Sequence, residues 1–287
     1  MNASRPVRSL LYVPGNAPEK LAKALTRGAD GLILDLEDAV PPAQKEQARE
    51  SVLRWLSTQA APNGTQLWVR VNAGPLHVAD VQALAGLPGL TGLVLAKTES
   101  PDEVQAVVNL MDSAGDTTTV LMPMVETAGA VLAAAAIAAQ PRVHQLQVGE
   151  VDLTGQTGID PGPDDAELGA VRTLVVLASA AAGIFPPLGP VSQVTADLAL
   201  LEDSTRRLRR QGFLGRACIH PAQLEVVHRV FTPTYAEIAD ANNVLQLYDE
   251  AVADGRGVLL DPAGRLVDVA VLGRARKTLA LAGQAVT

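Results

Sequence analysis

The stretch SLLYVPGNAP, residues 9 to 18, begins as an apolar run and ends in Pro14-Gly15-Asn16-Ala17-Pro18. The run reads as a buried strand, and the turn after it decides what kind of sheet the strand joins. An open, doubly wound sheet would favour a glycine-rich, phosphate-cradling turn here. The two prolines make this a poor dinucleotide loop. A closed (β/α)8 TIM barrel is the economical alternative, and the rest of the chain favours it.

Working outward, seven further strand-like runs follow: GLILDLED (31–38), QLWVRVN (66–72), GLVLAK (92–97), TVLMPMVE (119–126), VHQLQVGEVD (143–152), IFPPLGP (184–190) and RACIHP (216–221). Helix-like segments separate them. SPDE at Ser100–Glu103 supplies an N-cap serine, a proline at the first helical position and a reciprocal glutamate, so a helix is expected to about Met111. Thr127 to Ala139 is rich in the best helix former. Pro163 to Gly183, Thr195 to Gln211 and Ala222 to Phe231 also read as helices. Residues 1–231 are therefore expected to form the barrel. Residues 232–287 then form a C-terminal extension: a long helix over Thr234–Asp254, a hairpin around Pro262-Ala263-Gly264 and a last helix from about Asp268 to Gly283. Such an appendage suits a lid or a contact with a neighbouring subunit.

The length of 287 residues fits one large domain, and a 48% hydrophobic content supports a sizeable core. With aromatics at 3%, packing must rest on Val, Leu and Ala. A net charge of −8 argues against a broad nucleic-acid surface, so no nucleic-acid partner is expected. Cys218 is the only cysteine, which excludes an internal disulfide and zinc sites of the Cys-cluster type. Leu10 to Val13 is too short for a signal peptide, and Ala128–Ala139 is too short to span a bilayer. A cytoplasmic protein without a membrane partner is expected.

Barrel enzymes place their chemistry at the C-terminal ends of strands. Here the second strand ends in Glu37-Asp38, the third in Arg70 and Asn72, and the fourth in Lys97. The fifth ends in Glu126, and the sixth in Glu150 and Asp152. Alternation puts Met122, Met124 and Glu126 on one face of the fifth strand, and Val148, Glu150 and Asp152 on one face of the sixth. Glu126 and Asp152 would then meet at one height, a donor pair that suits Mg²⁺ with water in its open positions. Zinc would want histidine, and His77, His144, His220 and His228 have no paired spacing. Each residue also has a plainer reading. Glu126 can favour the next helix N-terminus, Asp152 can cap a turn, and Arg70 can pair with Glu37 or Asp38. His220 before Pro221 reads as structural, Cys218 as packing, Lys20 and Lys23 as a solvated helix face, and GQTGIDPGP (155–163) as a flexible rim loop. Asp35 and Glu37 share a face with Ile33; Asp35 sits deeper and needs a buried partner.

Together RSLLYVPGN (8–16), GADGLILDLEDAVPPAQK (28–45), VRVN (69–72), GLVLAKTES (92–100), VETAGAV (125–131), VGEVDL (148–153) and CIHPAQLEVV (218–227) resemble the citrate lyase β-subunit branch of the HpcH/HpaI aldolase family. The resemblance implies a (β/α)8 barrel, Mg²⁺ and Claisen-type chemistry on acyl thioesters. It implies Glu126 and Asp152 as metal ligands, Arg70 as the grip on the substrate carboxylate, and Glu37 and Asp38 as holders of metal-bound water. Leu266-Val267-Asp268 lies where relatives carry a lid aspartate, contributed by a neighbouring subunit and active in proton transfer, so a trimer or larger assembly is implied. Two stretches depart from the family pattern. Leu188-Gly189-Pro190 replaces Asp-Gly-Pro, and Gly149-Glu150-Val151-Asp152-Leu153 replaces Gly-Ala-Glu-Asp-Leu. The expected activity is cleavage of a citryl, malyl or citramalyl thioester to a keto acid such as oxaloacetate, or an aldehyde acid, and a shorter acyl thioester. Catalysis would rest on Arg70, Asp268 and Glu37. The acyl carrier is coenzyme A or a carrier protein, and citrate lyase partner subunits are a further implied association. Thioester hydrolysis at the same site and a non-catalytic binding or assembly subunit are the rival readings.

Overall fold

Eight parallel strands hydrogen-bond in chain order and close on themselves: β1 (Ser9–Pro14), β2 (Gly31–Asp35), β3 (Gln66–Val71), β4 (Gly92–Leu95), β5 (Val120–Val125), β6 (Gln145–Val148), β7 (Phe185–Gly189) and β8 (Gly215–Cys218). Closure is the pairing of β1 with β8, from Ser9 opposite Arg216 to Leu11 opposite Cys218. This rules out the doubly wound alternative. The computed structural model describes residues 6–58, 64–261 and 264–283.

Helices follow the strands: α1 (Pro18–Ala24), α2 (Lys45–Thr58), α3 (His77–Leu84), α4 (Pro101–Ser113), α5 (Ala128–Ala138), α6 (Glu150–Thr157), α7 (Gly169–Ala182), α8 (Leu198–Gln211) and α9 (Leu224–Phe231). Their starts obey local chemistry. Ser100 Oγ accepts from the Glu103 N–H, as expected, whereas the Glu103 carboxylate reaches one residue further back, to the Glu99 N–H at 2.8 Å. Thr127 caps α5 by accepting from the Ala130 N–H at 3.1 Å. The segment expected to be helical from Pro163 settles into α7 only at Gly169, and that expected from Thr195 begins after Asp197, whose carboxylate caps Leu200.

One expectation fails in a way that matters for the site. β6 stops at Val148, and Glu150 and Asp152 lie in the first turn of α6, not on a strand face. Gly149 breaks the strand, and carboxylates in a first helical turn are favoured by the unpaired N–H groups there. Gly155 to Thr157 also belong to α6, so the rim loop begins at Gly158, whose φ of +72° ends the helix.

The chain divides into two compact units, Met1–His228 and Arg229–Thr287. Within the first, Leu10, Ile33, Trp68, Val94, Met122 and Leu188 fill the barrel axis. The second carries α10 (Tyr235–Ala253), the paired strands β9 (Leu259–Leu260) and β10 (Leu266–Val267), and α11 (Val269–Leu281). Thr234 and Glu237 form a capping box at the start of α10. Of the expected turn, Pro262 and Ala263 lie outside the described residues. Val244, Val267, Leu272 and Leu279 form this unit's own core. Among the described residues no helix is long and apolar enough to cross a membrane.

Candidate metal and substrate site

Asp35 and Arg70 are register partners on β2 and β3, each two residues beyond a core side chain, Ile33 or Trp68. Both therefore point into the barrel. Arg70 Nε donates to Asp35 Oδ1 and Nη2 to Oδ2, both at 2.6 Å, a two-point bond of the strongest kind. Asp35 also accepts from the backbone N–H groups of Glu37 and Ala39 at 2.9 and 3.0 Å. The buried partner that Asp35 required is thus Arg70. The Nη1 group faces Glu37 at 3.0 Å and Asp38 at 3.3 Å. Arg70 consequently pairs with all three carboxylates, and chiefly with the one not assigned to it from the sequence. Burial disfavours the guanidinium charge, yet the Asp35 bonds outweigh it and hold the Arg70 pKa above its ordinary value.

Across the barrel mouth, Lys97 follows β4 with a left-handed φ of +51°. That turn aims its backbone N–H at Glu126 Oε1. The Lys97 ammonium lies 3.2 Å from Asp152 Oδ1 and 3.4 Å from Glu37 Oε1. These carboxylates hold the lysine pKa above its usual value against the burial that would lower it. Glu126 is almost fully enclosed. Burial pushes its carboxyl up to about 7, with the charges of Asp152 and Glu37 adding to the effect. Glu37 is likewise raised, first by burial. Gly149 makes room for Glu126: a Cβ there would lie 2.6 Å from Glu126 Oε2. The two predicted ligands are therefore brought to one rim, though from a strand end and a helix start.

Five carboxylates (Asp35, Glu37, Asp38, Glu126 and Asp152) face three cations, Arg70, Lys97 and Lys45, the last bonded to the carbonyls of Leu36 and Glu37. With Glu126 ionised the cluster has two negative charges in excess, which one divalent cation balances. All its side-chain donors are oxygens. Among the described residues no three His, Cys, Asp or Glu side chains converge as a ready-made metal cage. A hard cation here would draw its other ligands from water and substrate, as Mg²⁺ does. The residues fit Mg²⁺. They surround a cavity of about 420 Å³, lined by Arg70, Glu126 and Asp152 and walled by Met124, Val191 and Ile219.

Glu150 also lines the cavity, but its carboxylate is engaged elsewhere. Arg172 on α7 grips it through Nε and Nη2 at 2.6 and 2.9 Å. Asp268 belongs to the second unit, where its carboxylate accepts from the Val271 N–H at the start of α11. Cys218 is buried and free, its thiol pushed up to about 12 by burial, as suits a packing residue. His220 caps the turn before α9, and Lys20 and Lys23 are exposed.

Two features escaped the sequence reading. The convergence of Lys97 on Glu37, Glu126 and Asp152 depends on a backbone turn that no pattern encodes. Tyr12 and Gln147 also line the cavity, with Gln147 Nε2 donating to Tyr12 Oη at 2.8 Å. Their signal was available: two glutamines, Gln145 and Gln147, lie in a strand that is otherwise apolar.

Known proteins resemble this chain along almost its whole length. The chain is 36% identical over 281 residues to a (3S)-malyl-CoA thioesterase of Cereibacter sphaeroides, spanning 97% of this chain and 95% of that one. It is 32% identical to a citrate lyase subunit beta of Leuconostoc mesenteroides, spanning 98% and 95%. Among solved structures it is similar to Mycobacterium tuberculosis CitE in complex with magnesium, acetoacetate and coenzyme A, with a TM-score of 0.79, 30% identity and coverage of 99% and 100%. The family model for HpcH/HpaI aldolase/citrate lyase matches residues 8–221. The chain belongs to the HpcH/HpaI aldolase/citrate lyase family.

Proposed function

We propose that this chain is a Mg²⁺-dependent carbon–carbon lyase that cleaves a 3-hydroxyacyl thioester of the citryl, malyl or citramalyl kind. The observation that carries this reading is the convergence of Glu126, Asp152 and Arg70 on one cavity at the barrel mouth. The magnesium and coenzyme A held by CitE support it. Glu126 and Asp152 would hold the metal, with Glu37 and Asp38 holding its waters. Bound there, Mg²⁺ would supply Lewis acidity toward the hydroxyl or oxo oxygen of the substrate.

The remaining work falls to the side chains. Arg70 has one Nη2 N–H beyond its bonds to Asp35, and this orients the substrate carboxylate. Its position is fixed by Asp35, so the donor is pre-set before substrate arrives. As the carbon–carbon bond breaks, the hydroxyl gives up its proton and the thioester α-carbon gains one. Asp268, presented by a neighbouring subunit of a trimer, is the proposed proton carrier. Its place in a compact unit outside the barrel supports that role.

Thioester hydrolysis is a second reading, favoured by the malyl-CoA thioesterase among the relatives. Purified protein with Mg²⁺ and a panel of malyl-, citramalyl- and citryl-CoA separates the two. The lyase reading expects a keto acid or glyoxylate to form with no free thiol. Stoichiometric thiol release without a keto acid would contradict it and establish the hydrolase.

A further inference from the structure

The side chain of Lys97 is a charge at the barrel mouth that the proposed reaction leaves without a task. Its backbone N–H serves Glu126 Oε1, and that bond needs no side chain. The backbone there is left-handed, with φ +51°, a conformation that glycine adopts freely and that a residue with a Cβ resists. What lysine adds over glycine is an ammonium on a flexible four-carbon stem. That ammonium rests on oxygens of the site itself. Nζ donates to Asp152 Oδ1 at 3.2 Å and faces Glu37 Oε1 at 3.4 Å.

The other two cations at the mouth are committed elsewhere, Arg70 chiefly to Asp35 and Lys45 to the carbonyls of Leu36 and Glu37. Among the described residues, Lys97 is therefore the cation whose side chain touches a proposed metal ligand. An ammonium and a divalent cation drawn to the same carboxylate repel each other across a few ångströms. The lysine has a way out. Its side chain is 40% exposed, so the ammonium can swing toward water while the backbone stays on Glu126.

Resting on the reading of Glu126 and Asp152 as metal ligands, we infer that Lys97 is an internal counter-cation that gives way: it holds Asp152 and Glu37 together, and it must release Asp152 when Mg²⁺ binds. Lys97 is thus a positioning residue with two effects. It keeps two mutually repelling carboxylates in place for the metal, and it lowers the affinity with which they take it, so that loading is reversible.

The test is calorimetric titration of Mg²⁺ into the full-length wild type, Lys97→Met and Lys97→Arg, each stripped with EDTA and dialysed. Methionine keeps most of the stem and the backbone bond while removing the charge, and arginine restores the charge. Lys97→Met should bind Mg²⁺ about tenfold or more tightly than the wild type, as expected when a like charge beside the ion is removed. Lys97→Arg should stay within about threefold of the wild type. In EDTA, Lys97→Met should melt below the wild type, because Asp152 and Glu37 then repel without a counter-ion. Its gain in melting temperature on adding Mg²⁺ should be the larger of the two. A further measurement needs no variant: acetylation of Lys97 in the wild type, read by peptide mass spectrometry, should speed up severalfold at saturating Mg²⁺. Lys20 and Lys23, exposed on α1, should label at unchanged rates. A Mg²⁺ affinity that Lys97→Met leaves unchanged or weakens, as for a solvated rim pair, overturns the inference and leaves the metal reading standing. So does a Lys97 labelling rate that Mg²⁺ fails to raise. A folded wild type that takes up no Mg²⁺ overturns the metal reading and this inference together.

Discussion

At the scale of single residues, the argument turns on Glu126. An enclosed carboxyl pushed up to about 7 is a group the fold holds at a disadvantage when ionised. Between its ordinary 4.5 and about 7 the folded chain binds more protons than the unfolded one. Stability therefore falls as pH rises through that window, by about 3 kcal/mol from this group alone. A divalent cation binds the ionised form and opposes the loss. The melting-temperature gain from Mg²⁺ should accordingly be small at pH 5.5 and grow steadily to pH 8. A gain that does not change with pH would show that Glu126 is not a ligand. Glu126, Arg70 and Glu37 were legible in the sequence because each is a charge at the end of an apolar run. The Asp35 partner was not, because it depends on the register between two strands, and neither was the Lys97 turn, which depends on one φ angle.

Among the elements, α6 decides whether the two proposed ligands can act together. Asp152 comes from its first turn, and the same turn is tied to α7 by the bond between Glu150 and Arg172. The alternation rule that carried β5 correctly to Glu126 fails one element later, since Gly149 turns the chain out of the sheet. What the rule could not supply was the reason for that glycine, its close approach to Glu126. The displaced glutamate of the family pattern finds its physical meaning here: at position 150 it serves the α6–α7 tie. Arg172→Met should weaken Mg²⁺ binding severalfold and lower stability by about 1–3 kcal/mol, the penalty for a buried group left without its partner. Replacing Glu150 by Met in addition should recover much of the stability. Urea midpoints and Mg²⁺ titrations on the same samples check both. Unchanged Mg²⁺ affinity in a destabilised Arg172→Met variant would mean that α6 holds Asp152 without this tie.

For the molecule as a whole, the eight-fold repeat was the most legible feature, since two periodicities alternate along the chain and the first turn disfavours a dinucleotide sheet. Closing the barrel is what brings distant segments together: Glu37, Arg70, Lys97, Glu126 and Asp152 come from five successive strand ends or the turns after them, and meet at one mouth. A chain with eight net negative charges concentrates five carboxylates there. That concentration makes sense if a cation completes it, and the central claim is that Glu126 and Asp152 hold that cation. Calorimetric titration of Mg²⁺ at pH 8 tests it most directly. The wild type should bind one Mg²⁺ per chain, and the Glu126→Ala/Asp152→Ala double variant, folded by its melt, should bind none over the same range. A folded double variant that takes up Mg²⁺ as tightly as the wild type would contradict the account.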